Sequence, residues 1–455
     1  MSLVRIDALG ASGPYRTYRG VVLHDVRGEP AAEMSLVPRL FVRRSLDVLR
    51  AARPMSAQQR VAALALAGRT FAHGTIGGLT AGEYQHLVCR VSGLPITTVR
   101  AATGAVASAA AGSYRSAYRA RPAGAVAAWA DPLTHGGSAV WTRRGEVLAV
   151  HAAGNYPGVH ALWLEALALG YRIAVRPSAR EPFTPHRLVM SLRQAGFADD
   201  QVMLLPTDHS VATDLVQAAD LSVVYGGDAV IAKYGMNGNV LAQGPGRSKV
   251  LICGQQPLDH LDTIVESVAC DGGIGCINAT AVLAESDPAA VAAGIADRLS
   301  ALPSLPPEDE KAVLPVHSVG SSRAIERYLL RTARGCIAHL GGDGVCEELG
   351  DNSAVLRPAV FQVDRPDAPQ VRAELPFPCV WVAPWSRADG LRPLRDTLAL
   401  TAINCDDALV DDLISEPTIG NVHLGDYPTT WYEPGLPHDG YLGEFLMRTK
   451  TIVRG

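Results

Sequence analysis

One cysteine, Cys276, lies in the run Asp271-Gly-Gly-Ile-Gly-Cys276-Ile-Asn-Ala. Its small neighbours let substrate and backbone approach the sulfur closely, which a packed core rarely requires, and this makes Cys276 the candidate nucleophile. Upstream, the apolar run Gly145–Gly154 reads as a buried strand that empties into Asn155-Tyr-Pro-Gly158, a turn presenting an amide side chain ahead of a helical stretch. A thiol and a positioned amide donor suit acyl chemistry. Asn155 also suits the N-cap of the helix that follows, and the two roles are compatible. His151 and His160 flank that turn; each reads either as a base for Cys276 or as a hydrogen-bonded core residue. Cys270 reads as a packed thiol or as a disulfide partner of Cys276.

These side chains need a scaffold that brings strand ends together. After Gly145 the pattern alternates strand and helix: strands at 147–150, 171–175, 201–205 and 221–225, with helices at 160–169, 185–195 and 210–218 between them. This is the signature of a parallel sheet, in which ligands sit at the carboxyl ends of the strands, where Asn155, Arg176 and Gly226 converge. A second region from Gly244 repeats apolar strands at 248–253, 279–284 and 380–383. The first 120 residues read as mainly helical, over 37–50, 56–71 and 101–120. The stretch 121–143 holds Pro, Gly and Trp and reads as an extended hairpin projecting from the body, a natural subunit contact. The loop 301–310 is rich in Pro and acidic residues.

Length and charge narrow the function classes. The 455 residues exceed a single core and predict two α/β domains with a small appendage. Charged residues make up 19% of the chain with a net charge of −4, so no electrostatic footprint for nucleic acid exists and a small molecule is the expected partner. No apolar stretch reaches the roughly twenty residues that span a bilayer, and Met1–Asp7 lacks the basic start and apolar centre of a secretion signal, so a cytoplasmic location is expected. Eight scattered cysteines without a C-x-x-C pair predict neither a zinc site nor a disulfide framework.

Taken in order, Gly154-Asn-Tyr-Pro157, Ala166-Leu-Ala-Leu-Gly170, Val175-Arg-Pro-Ser178, Ala195-Gly196, Gly226-Gly227, Gln243-Gly-Pro-Gly246, Gly273-Ile-Gly-Cys276, Glu374-Leu-Pro-Phe-Pro378 and the stretch 440–453 resemble the aldehyde dehydrogenase superfamily over about residues 140–455. The resemblance implies a cofactor-binding domain over 1–243, interrupted by an oligomerisation hairpin at 121–145. It further implies a catalytic domain over 244–436 and a tail over 437–455 that returns to the hairpin sheet. It implies a homodimer or tetramer. Cys276 would carry an acyl group as a thioester, with the Asn155 amide and the Cys276 N–H holding the oxyanion. Glu374 would grip the nicotinamide ribose; Arg176 and Ser178 would lie at the adenine ribose, and Gly226 and Gly227 at the pyrophosphate. Arg176 and Arg180, with Ala179 where relatives that prefer NAD often carry glutamate, point to NADP, with NAD as the alternative. No G-x-G-x-x-G follows a strand, and the superfamily binds its cofactor without one.

The chain departs from that pattern where it bears on chemistry. Gln243 stands where aldehyde-oxidising members carry the glutamate that activates water, and an amide cannot take that proton. Gly227 replaces a helix-capping serine. The acyl-reducing branch also lacks the glutamate, so the resemblance implies NADPH-dependent reduction of an activated acyl or aryl acid, as a coenzyme A thioester or an adenylate from a partner adenylating enzyme. The alternatives are an NAD(P)-dependent aldehyde dehydrogenase and a non-catalytic partner subunit. The turn at His438-Asp439-Gly440 would reach the substrate tunnel in such a fold, where His438 would deliver a proton.

Overall fold

The computed structural model describes residues 3–454. Met1, Ser2 and Gly455 lie outside it, and with them part of the Met1–Asp7 reading and the outer ends of the 1–243 and 437–455 segments. The alternation after Gly145 folds as expected into a parallel sheet of five strands, in the order Val240–Gln243, Leu221–Tyr225, Val147–His151, Arg172–Arg176 and Val202–Leu204. Val147 to Val150 are wholly buried, the double-sided burial that a parallel sheet demands of a continuous apolar run. From Val147–His151 the chain first builds outward on one side and then on the other. A crevice therefore opens at the carboxyl ends of Val147–His151 and Leu221–Tyr225.

The chain leaves this sheet at Gln243 and enters a second one at Ser248. The second sheet runs Ile337–Leu340, Ala359–Gln362, Cys379–Pro384, Ala279–Ala284, Ser248–Ile252, Thr397–Ile403, Ile419–Leu424, parallel except at its first strand. So short a crossover sets the carboxyl ends of the first sheet against the amino ends of the second. Cys276 precedes Ala279–Ala284 and Glu374 precedes Cys379–Pro384, so both enter the site from amino ends.

Two expectations are corrected. The first 120 residues are not mainly helical: strands Val4–Ile6, Ala8–Gly10, Gly13–Tyr15, Gly20–His24 and Pro30–Ser35 precede the helices Arg39–Ala51, Ala57–His73, Ala81–Ser92 and Ile96–Tyr118. Strands of three to six residues are too short for an alternating pattern to register. Two of them, Ala8–Gly10 and Gly13–Tyr15, extend the first sheet from its far edge. The 121–145 segment does not close a hairpin on itself: Ser138–Arg143 pairs in parallel with Ala125–Val126 and takes its antiparallel partner from Met447–Ile452. Tyr171 ties this appendage to the body, its hydroxyl accepting from the Arg144 and Gly145 amides and donating to the Leu446 carbonyl. No helix among the described residues is long and apolar enough to cross a membrane.

Candidate active site

The loop that carries Cys276 is built from unusual backbone. Asp271, Gly272 and Gly273 are consecutive left-handed residues, with φ of 52°, 75° and 68°. A Cβ on Gly273 would lie 2.6 Å from the Pro378 nitrogen, so this glycine permits the close approach of two backbones. Asn278 clamps the loop from within. Its Oδ1 accepts from the Gly275 amide at 2.8 Å while its Nδ2 donates to the Cys270 and Ser267 carbonyls at 2.9 and 3.2 Å. From the crossover, Ser248 Oγ donates to the Cys276 carbonyl at 2.9 Å. Gly246 presses still closer, where an added Cβ would fall 1.6 Å from that carbonyl oxygen. Gly246→Ala is therefore expected to lower stability by about 3 kcal/mol through overpacking against backbone. It also displaces the sulfur, which thermal unfolding and the rate of Cys276 labelling would register together.

Around the sulfur the electrostatics oppose ionisation. Burial, then the carboxylates of Glu374 and Asp439, push the Cys276 thiol up to about 12, against the pull of the Cys276 and Ile277 amides. His438 Nε2 stands 3.8 Å from Sγ. Glu374 is itself raised by burial, with Arg247 and the Gly246 and Arg247 amides acting against the shift. Asn155 reaches across from the first sheet: its Nδ2 donates to the Ile274 carbonyl at 3.2 Å, two residues before the cysteine. The other amide hydrogen has no partner among the described residues. Asn155 is not a helix cap, because the expected helix splits into a 3₁₀ turn at Pro157–Ala161, whose N-cap is Tyr156, and a short α-helix at Leu164–Leu169.

The second group of expected residues gathers at the strand ends of the first sheet. Arg176 is buried; its Nη1 faces His151 Nε2 at 3.0 Å and its Nη2 donates to the Thr207 carbonyl at 3.2 Å. Arg176 Nε and His151 Nδ1 have no partner, and Arg176 forms no ion pair among the described residues. A buried guanidinium without a carboxylate beside an open crevice suits a phosphate- or hydroxyl-bearing ligand. Ser178 Oγ accepts from the Arg180 amide at 3.2 Å and sits against Gly154, where a Cβ would lie 2.2 Å from it. Gly226 is needed for space, since a Cβ there would meet Val230 at 2.3 Å, whereas Gly227 has open room and opens the helix Asp228–Tyr234 without a side-chain cap. Arg247 holds Asp228 in that helix by two bonds of 2.7 Å.

The flanking histidines are not bases for Cys276. His160 is fully buried, accepts from Trp163 Nε1 at 3.0 Å, and is driven down to about 3 by burial; His151 faces Arg176. Cys270 turns toward Thr430 and is raised to about 11 by burial. Among the described residues no group of three or more His, Cys, Asp or Glu is placed to hold a metal ion.

Several contributors escaped the sequence reading. Ser248 and Asn278 act on backbone, and only the Asn two residues beyond the cysteine hinted at a clamp. Tyr225 pairs with Gln243 across neighbouring strands and feels the charge of both Cys276 and Asp439, so the two halves meet here. A cavity of about 300 Å³ is lined by Ile277, the residue after the cysteine, with Asn421, His423, Trp431, Tyr432 and His438. It assembles from strand and tail residues that no local pattern connects.

Residues 80–394 match the model of the aldehyde dehydrogenase family. Three solved structures share the fold. Aldehyde dehydrogenase 21 from Physcomitrella patens, in complex with the reaction product succinate, is 16% identical with a TM-score of 0.79, covering 100% of this chain and 99% of its own. Gamma-glutamyl-gamma-aminobutyraldehyde dehydrogenase from Burkholderia cenocepacia is 18% identical with a TM-score of 0.79, covering 98% and 96%. A mutant of aldehyde dehydrogenase C from Pseudomonas syringae, complexed with NAD+ and octanal, is 17% identical with a TM-score of 0.80, covering 98% and 96%. A search of curated proteins gave no match.

Proposed function

The chain belongs to the aldehyde dehydrogenase family of NAD(P)-dependent oxidoreductases acting on aldehydes, and on that premise we propose that it reduces an activated carboxylic acid, a thioester or acyl adenylate, to the aldehyde. The observation that carries this reading is Gln243. It closes its strand beside Tyr225, itself within reach of the Cys276 charge, and a primary amide there cannot draw a proton from water. An acyl group on Cys276 is thereby protected from hydrolysis long enough to be reduced.

Each residue has a task in that scheme. Cys276 attacks the acyl carbon and holds the acyl group as a thioester. The unpaired hydrogen of the Asn155 amide and the Cys276 N–H hold the oxyanion. Arg176 and Ser178 hold the adenosine end of the cofactor, Gly226 and Gly227 let the pyrophosphate approach the backbone, and Glu374 holds the nicotinamide ribose. When bound, the nicotinamide supplies the hydride. NADP is favoured over NAD because the Arg176 guanidinium forms no ion pair among the described residues, only the more distant charge of Asp208 acting on it, and Lys233 lies close enough to His151, the neighbour of Arg176, to depress it. The acyl donor comes as a coenzyme A ester or from an adenylating partner, and the Ser138–Arg143 sheet joins copies of the chain.

A second reading, oxidation of an aldehyde to the free acid, draws on His438, a base 3.8 Å from the sulfur that can activate water. Two assays separate them: NADPH or NADH with a panel of acyl and aryl thioesters, and aldehyde with NADP+ and no acceptor thiol. Aldehyde from a thioester supports the first reading; acid from aldehyde supports the second. Gln243→Glu is expected to raise thioester hydrolysis by about 10²-fold, the scale of a restored general base. An unchanged rate of acid release would remove Gln243 from this role.

A further inference from the structure

We propose that His438 is a catalytic residue: its Nε2 takes the proton from the Cys276 thiol as the sulfur attacks the acyl carbon, and then hands that proton to the leaving group. The inference rests on the proposed reading of Cys276 as the nucleophile that takes the acyl group from an activated acid. As the S–H bond breaks and the S–C bond forms, the proton moves to Nε2. The electron pair of the bond between the acyl carbon and its leaving group departs with that group, which takes the proton back from Nε2. No oxidant or further reactant is consumed.

Three observations converge on this histidine. Nε2 stands 3.8 Å from Sγ, within hydrogen-bonding reach for sulfur. Its position is fixed, because Asn421 Nδ2 donates to the His438 carbonyl at 2.6 Å and to the Leu398 carbonyl at 2.9 Å, while the Tyr432 ring meets the imidazole edge-on at 6.2 Å. His438 also lines the cavity of about 300 Å³ together with Ile277, the residue that follows the cysteine.

The thiol needs such a base. Burial and the nearby carboxylates of Glu374 and Asp439 hold the Cys276 thiol well above the usual range, so at neutral pH it stays protonated unless a base takes the proton. The other groups facing the sulfur are poorly placed to accept its proton. The Gly246 and Arg247 amides and the Arg247 charge hold Glu374 toward its ionised form against burial, and Tyr225 is a phenol raised by burial. Asp439 is raised by burial and is drawn down by His438, so its charge serves best to support the imidazolium that forms beside it. Burial lowers His438, which keeps the imidazole neutral and able to accept; Asp439 acts the other way.

The test is alkylation of Cys276 by iodoacetamide in the full chain from pH 5 to 11, read on the Cys276 peptide by mass spectrometry. The wild-type rate should fall as pH drops through the titration of His438, below the ordinary histidine value, and stay level through neutrality. His438→Gln should be at least 10-fold slower at pH 7.5, and the gap to wild type should narrow toward pH 11 as the thiol begins to ionise unaided. His438→Ala should regain rate with added imidazole while labelling of Cys336 is unchanged. Equal rates and profiles for wild type and His438→Gln overturn the proposal. A wild-type rate that climbs only with ionisation of the thiol above pH 9 overturns it too, without needing any variant to fold. Loading of Cys276 by an acyl thioester, read in the same samples, judges the nucleophile separately: alkylation that depends on His438 with no acyl loading refutes the acyl-transfer reading and the return of the proton to a leaving group, and leaves His438 only as the base for the thiol.

Discussion

Cys276→Ala is expected to abolish turnover, by at least about 10⁴-fold, while cofactor affinity stays within a few-fold of wild type. The first half follows from the absence of any other sulfur in the site: Cys270 turns toward Thr430, so no neighbour can take over the acyl group. The second half follows from the division of labour between the sheets. Arg176, Ser178, Gly226 and Gly227 lie at the strand ends of the first sheet, and the Cys276 side chain holds neither them nor Glu374, whose charge it only feels. Nor does the substitution loosen its own loop, since Ser248 and Asn278 bind that loop through backbone atoms that alanine retains. Steady-state turnover and a cofactor fluorescence titration on the same preparation measure the two quantities. Retained turnover would end the covalent scheme.

Asn155→Ala comes next, with an expected loss of 10²–10³ in turnover, or about 3 kcal/mol of transition-state stabilisation. The side chain spans the crevice and donates at 3.2 Å to the Ile274 carbonyl, which orients the amide toward the cysteine loop. Because its second hydrogen is unspent in the resting protein, the loss should fall on the reaction step rather than on substrate affinity, and kcat should drop with little change in KM. Loading of Cys276 by a thioester, followed by mass, should slow by the same factor. If KM rose and kcat held, Asn155 would be a binding contact and the oxyanion would have to rest on backbone alone.

How much of this was readable beforehand divides along physical lines. The parallel strands from Val147 to Tyr225 were legible because they are buried on both faces and so carry unbroken apolar runs. Cys276 was legible because its glycines mark a backbone that ordinary side chains cannot follow, and two of them prove to be left-handed. Glu374, Arg176 and Gln243 have no local signal and were reached through the order of motifs. The five short strands up to Ser35 were invisible, for three of them have only three residues and so one alternation at most, and the other two have five and six. Ser248 and Tyr225 were invisible for another reason: one seats the Cys276 carbonyl and the other bridges the two halves, and such tasks arise only once two sheets meet end to end. Lys249 is a similar case, a wholly buried lysine whose ammonium donates to the Arg247 and Arg395 carbonyls and to Thr397, bracing the crossover where a sequence pattern would place an apolar residue.

The pairing of Ser138–Arg143 with Met447–Ile452 bears on how the molecule is made. The strand Ser138–Arg143 leaves the ribosome roughly 300 residues ahead of its antiparallel partner, a delay on the order of 15–60 seconds at usual synthesis speeds. Until then its outer edge is covered by nothing, and its inner edge has only the two residues Ala125–Val126 to pair with. A nascent chain thus carries an open strand edge through most of its synthesis, an invitation to neighbours on the same polysome and to chaperones that bind extended segments. Expression yield should therefore depend on translation speed and on whatever is fused behind the closing strand.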